Sequence, residues 1–90
     1  MANINYNSEV RKAISDRYVY YLHIRRETID KKTEIEEKLN HPDSYSYTDY
    51  CDLQKLDQKL TTEIRELEIK IDTLDEAREI CLDIAELIKN

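Results

Sequence analysis

The ninety residues contain no glycine and only one proline, Pro42. That gap in the composition closes off most folds. Tight β-hairpin turns and phosphate-cradling loops rest on glycine's access to positive φ, so a chain without it is left with long regular elements and very few reversals. Pro42 lacks a backbone donor and pushes His41 out of helical geometry. It therefore marks one break near the middle of the chain.

Both sides of that break carry helical periodicity. Asn5, Asn7 and Ser8 are capping residues followed by Glu9, a carboxylate suited to the positive end of a helix, which places a start near Asn7. Apolar residues then recur through Ile14, Tyr18, Tyr21 or Leu22, Ile29, Ile35 and Leu39, with charged residues between them. Asn40 can take a left-handed cap ahead of Pro42.

Ser46 with Asp49 three residues on makes a capping-box-like start for a second helix, with Thr48 as an alternative cap. Beyond it Leu53, Leu56, Leu60, Ile64, Leu67, Ile71, Leu74, Ala77, Cys81, Ile84 and Ile88 follow steps that average about 3.5 residues, the coiled-coil value. The steps Leu60 to Ile64 and Leu74 to Ala77 depart from heptad order and predict local disturbance of the supercoil.

A charged fraction of 38% beside a hydrophobic fraction of 40% suits long amphipathic helices rather than a sheet or a disordered tail. The sequence thus predicts an all-α chain with a single helical domain over residues 1–90. It is a long, coiled-coil-like antiparallel hairpin: a helix over about 7–40, a loop at 41–47 and a helix over about 48–88. The short loop makes the helices antiparallel neighbours, with opposing residue numbers adding to roughly 89. Two helices alone bury only a narrow seam, so self-association into a helical bundle is expected, as a dimer or a larger assembly.

Charge is unevenly shared. Residues 1–40 carry eight Lys and Arg against seven Asp and Glu, whereas residues 41–90 carry six against thirteen. The net charge of −6 argues against sequence-independent nucleic-acid binding, which needs clustered cations facing phosphates. No apolar run approaches the roughly 18 residues of a membrane span. The first residues also lack the basic start and apolar core of a signal peptide, so a cytoplasmic location without membrane partners is expected.

No catalytic, cofactor-binding or metal-ligating residue is assigned, and the chain is not expected to be an enzyme. His23 and His41 have no Cys or carboxylate at metal-ligand spacing. In a continuous second helix Cys51 and Cys81 would lie about 45 Å apart, too far for an intramolecular disulfide. Paired carboxylates such as Glu36 and Glu37 point apart on a helix and read as solvated surface.

Three groups of residues are singled out. Tyr45, Tyr47 and Tyr50, three of the seven tyrosines that make up all the aromatics, cluster at the loop and are candidate contacts for another protein, with tip packing as the plainer reading. Arg17, Tyr21, Arg25 and Arg26 are candidates for binding an anionic small ligand such as a nucleotide. Apolar residues at 18–24 and 80–88 cover more than one helix face, which makes Tyr18, Leu22, Ile80, Ile84, Leu87 and Ile88 candidate interface residues between copies.

The expected role is a small acidic, homo-oligomeric protein-interaction module of the kind that serves as an inhibitor, antitoxin or adaptor. An oligomeric binder of a negatively charged ligand is the second expectation. A DNA-mimicking inhibitor is the third, weakened by the basic stretch on the first helix.

Overall fold

The computed structural model describes the backbone of residues 2–89 and the side chains of residues 8–82. It is an all-α helical hairpin. Helix α1 spans Ala2–Leu39, a single 3₁₀ turn spans Pro42–Ser44, and helix α2 spans Tyr47–Lys89. There is no strand among the described residues.

Helix α1 starts at Ala2 rather than near Asn7. Asn and Ser can cap a helix but cost only tenths of a kcal/mol inside one (about 0.5 each), too little to stop it. At its other end, Asn40 does not take the left-handed cap, since no described residue has positive φ. Its amide donates instead to the carbonyls of both Glu36 (3.1 Å) and Glu37 (3.2 Å), and the His41 amide donates to Lys38 at 3.1 Å. The last turn tightens until Pro42 ends it.

The reversal is short. Ser44 and Tyr45 donate back to the His41 and Pro42 carbonyls at 3.1 and 3.3 Å, and Tyr45 leaves in extended geometry with φ −128° and ψ 151°. Ser46 caps α2. Its hydroxyl accepts from the Asp49 amide at 3.2 Å and its carbonyl from the Tyr50 amide at 2.9 Å. The Asp49 carboxylate lies in the first turn, where the helix dipole favours it.

The chain divides into two compact units. The loop unit is Ile24–Glu68, and the terminal unit combines Met1–His23 with Ile69–Asn90. In the loop unit Ile35, Leu60 and Leu67 are buried, together with the polar Thr28. Thr28 is tolerated there because its hydroxyl donates to the Ile24 carbonyl at 2.8 Å, leaving no unsatisfied group. In the terminal unit Ile71 is buried, and Ile14, Tyr18, Tyr21, Leu74, Ala77 and Cys81 are half-buried.

The inward positions of α2 follow an unbroken heptad through Leu53, Asp57, Leu60, Ile64, Leu67, Ile71, Leu74, Arg78 and Cys81, all buried or half-buried. The two irregular steps read from the sequence vanish from the burial pattern. Asp57, not Leu56, occupies the inward position after Leu53, and Leu56 is exposed. Arg78 shares the later position with Ala77. A charged side chain keeps the count wherever it has an opposite charge or an aromatic ring to lie against.

Candidate interaction surface

The most prominent surface belongs to the terminal unit. Residues Tyr18 to Leu22 of α1 read Tyr-Val-Tyr-Tyr-Leu, and five consecutive residues surround a helix completely. One neighbouring helix can cover only part of that band. Tyr18 and Tyr21 turn inward and are half-buried, while Val19, Tyr20 and Leu22 stay exposed, Val19 at 62% and Tyr20 at 60%.

Cations of α2 lie over both inward rings. The Arg78 guanidinium sits 4.7 Å from the Tyr18 ring centroid, held also by Asp75 at 3.0 Å, and the Lys70 ammonium sits 5.5 Å from that of Tyr21. Tyr20 meets Tyr21 edge-on with centroids 5.6 Å apart. Such contacts use the negative faces of the rings and leave the outer side of the band uncovered.

On α2 of the same unit, Ile69, Ile80 and Leu82 are exposed, Ile69 at 62% and Ile80 at 58%. Exposed Ile80 and Leu22 and half-buried Tyr18 are thus located within this unit. The other three interface candidates, Ile84, Leu87 and Ile88, lie outside the residues whose side chains are described. Ile69 escapes detection from the sequence, because a count along the seam passes over a residue on the far side of the helix.

The tyrosines of the loop unit divide. Tyr47 stands almost free in solvent at 84% exposure, whereas Tyr45 and Tyr50 are half-buried. Tyr45 borders a shallow concavity of about 320 Å³ that Lys38, Asp49, Asp52, Leu53 and Leu56 also line. Its mixed lining, with two carboxylates against one ammonium, is a poor seat for an anion.

The four anion-site candidates do not form one group. Arg17 and Tyr21 belong to the terminal unit, Arg25 and Arg26 to the loop unit. Arg25 is already engaged, with Nη2 and Nε donating to Glu68 Oε1 at 3.1 and 3.3 Å. The Tyr21 ring lies under Lys70. Arg17 and Arg26 are exposed.

The strongest electrostatic feature lies inside the loop unit. Lys32 occupies an inward position of α1, hydrogen-bonded to Glu36 one turn on and 3.2 Å from Asp57 Oδ1. That oxygen is buried and, among the described residues, has no aligned hydrogen-bond donor, so the Lys32 ammonium serves it as an ionic partner. The bond to Glu36 holds the Lys32 pKa above its ordinary value; burial works against this, and the Asp57 carboxylate adds to it. The three side chains form a charge cluster that ties α1 to α2 within the loop unit.

Among the described residues no three His, Cys, Asp or Glu side chains gather in a way that could hold a metal ion. No described helix is long and apolar enough to cross a membrane. No protein-family model, no curated protein and no solved structure matches this chain.

Proposed function

We propose that this chain is a protein-interaction module that works as an assembly of its own copies. One observation carries the reading: the terminal unit leaves Val19, Tyr20, Leu22, Ile69 and Ile80 exposed, although its hairpin partner already covers the seam. Apolar surface of this kind gains about 25 cal/mol for each Å² removed from water. Scattered single residues need no explanation, but five exposed apolar side chains within one small unit do. A second copy is the partner always present at matching concentration, so association is coupled to the stability of the fold.

The test is solution mass by light scattering and sedimentation across a concentration series, with helix content followed by circular dichroism. The expected result is a strongly helical species heavier than one chain that loses mass on dilution. A fully helical single chain at every concentration would reject self-assembly.

Within this reading the loop tip is the contact for a different protein, and Tyr47 is its anchor because it offers a large ring at nearly full exposure. Replacing Tyr45 and Tyr47 with Ala is expected to remove such binding while leaving the assembly mass unchanged.

A further inference from the structure

The concavity beside the loop lies wholly within the loop unit. Asp49, Asp52, Leu53 and Leu56 fall at i, i+3, i+4 and i+7, so α2 presents them along one face. Tyr45 of the loop and Lys38 of α1 complete the lining. Its apolar part is Tyr45, Leu53 and Leu56, the last still 40% exposed. A volume of about 320 Å³ lies at the bottom of the roughly 300–1,000 Å³ of ligand pockets, which suits one or two side chains of a peptide better than a larger organic molecule.

Charge decides what those side chains must carry. Asp49 and Asp52 are exposed, stand one turn apart on the same helix face and oppose each other. None of the ion pairs among the described residues uses either carboxylate, and Lys38 enters none of them. That single ammonium balances one of the two at most. The excess persists at wider scales. Residues 39–54 contain three Asp and no Lys or Arg, and the loop unit as a whole carries twelve Asp and Glu against eight Lys and Arg. An anionic ligand, a nucleic acid or an acidic membrane surface meets repulsion at each of these scales, and a cationic side chain meets attraction.

Lysine and arginine also suit the apolar part of the lining. Their methylene stems cover hydrophobic surface while the charged head stays in water. A stem laid over Leu56 with its head between Asp49 and Asp52 uses both halves of the concavity. Tyr47, two residues beyond Tyr45 and 84% exposed, offers a ring to the next side chain of the same segment.

We infer that this concavity receives a basic peptide segment of a partner protein, with a Lys or Arg seated between Asp49 and Asp52 and an adjacent apolar residue against Tyr47. The inference rests on the proposed role of the loop tip and adds the chemistry of its partner.

Selection of short random peptides displayed on phage against the full chain tests this, with the best binders synthesised and titrated by fluorescence anisotropy. Enriched peptides are expected to carry Lys or Arg beside an aliphatic or aromatic residue and to bind more weakly as salt rises. Asp49→Asn with Asp52→Asn alters only exposed positions and leaves the Ser46 cap in place. It is expected to weaken these peptides about 2- to 30-fold, the span of two exposed ion pairs, with helix content unchanged by circular dichroism. Lys38→Gln removes a competing cation and is expected to tighten them.

Enriched peptides that lack a cation, that bind the Asn variant equally well or that weaken with Lys38→Gln overturn the basic partner. Where those same peptides are lost with Tyr45→Ala, Tyr47→Ala, the loop tip still stands as a contact for another protein. Failure to enrich any peptide that depends on Tyr45 and Tyr47 overturns both.

Discussion

The loop unit and the terminal unit are built from the same two helices, yet they solve burial differently. Among the described residues the loop unit holds three of the four buried apolar side chains, Ile35, Leu60 and Leu67, and the terminal unit holds Ile71. The sequence composition runs the other way. Inward positions of α1 in the loop unit include Arg25, Thr28 and Lys32 before Ile35 and Leu39, whereas the terminal unit places Ile14, Tyr18 and Tyr21 there. The more polar seam is the better buried one. Each of its polar groups has a partner, in Glu68, in the Ile24 carbonyl, or in Glu36 and Asp57. The tyrosine seam admits Arg78 and Lys70 against its rings and leaves Val19, Tyr20 and Leu22 exposed. Seam quality here depends on complementarity across the helices more than on the number of apolar residues.

The largest effect that could break this comparison is at the best-buried apolar residue among those described. Leu60, at 6% exposure, is expected to cost about 2–5 kcal/mol when replaced by Ala, since both transfer and cavity terms are lost. Ile80, at 58% exposure, is expected to stay within about 0.5 kcal/mol in a dilute single-chain sample. Urea unfolding followed by circular dichroism measures both. Equal losses would mean that the terminal unit supports the fold as much as the loop unit does. A loss at Ile80 that appears only at high protein concentration would assign that residue to an intermolecular contact.

Next comes the Lys32 and Asp57 pair. Asp57→Leu alone leaves the inward Lys32 ammonium with Glu36 as its one remaining ion-pair partner among the described residues and is expected to destabilise the hairpin, while the double change Asp57→Leu, Lys32→Leu recovers much of the loss by letting the seam close over apolar surface. A double-mutant cycle checks this, and purely additive losses would mean that the two charges act independently. The same lysine gives a pH signature. Its folded pKa is raised, mainly by the bond to Glu36, so its stabilising contribution is complete below the ordinary lysine value and is lost as pH rises through the folded value. Melting temperatures of wild type and Lys32→Met are expected to differ at neutral pH and to converge only in the alkaline range above about pH 10. Convergence already near neutral pH would point to a different group.

Much of this fold is legible in the sequence, for identifiable reasons. Pro42 forces a break, and Ser46 offers a hydroxyl where the first free amides of α2 need one; both act within a few residues of themselves. The inward residues are harder. A count of apolar positions selects Ile29 and Leu56, while the structure buries Thr28 more deeply than Ile29 and turns Asp57 inward with Leu56 left exposed. The burial of Thr28 depends on a bond to its own backbone. That of Asp57 depends on a lysine 25 residues earlier in the chain, whose proximity only the register of the hairpin reveals. The interaction surface is legible in part for the same reason. The Tyr-Val-Tyr-Tyr-Leu run announces surplus apolar area wherever α1 lies, and Ile80 falls in the matching apolar run on α2, but the outward Ile69 emerges only once the seam has fixed which side of α2 faces away.

The smallest expected effect sharpens the comparison most narrowly. Arg25 and Glu68 form a two-bond contact across the loop unit, but their side chains are 38% and 48% exposed, so water screens the attraction. A double-mutant cycle with Ala at both positions is expected to give a coupling of about 0.2–1 kcal/mol. That coupling should fall as salt rises toward about 1 M, where the Debye length shrinks to about 3 Å. The Lys32 and Asp57 pair, with side chains 22% and 25% exposed, is expected to lose a smaller fraction of its coupling over the same range. If the two pairs respond to salt alike, the polar seam is no better shielded than the surface, and the advantage of the loop unit rests on Ile35, Leu60 and Leu67 alone. If they respond differently, part of that advantage comes from a charge pair that the seam protects.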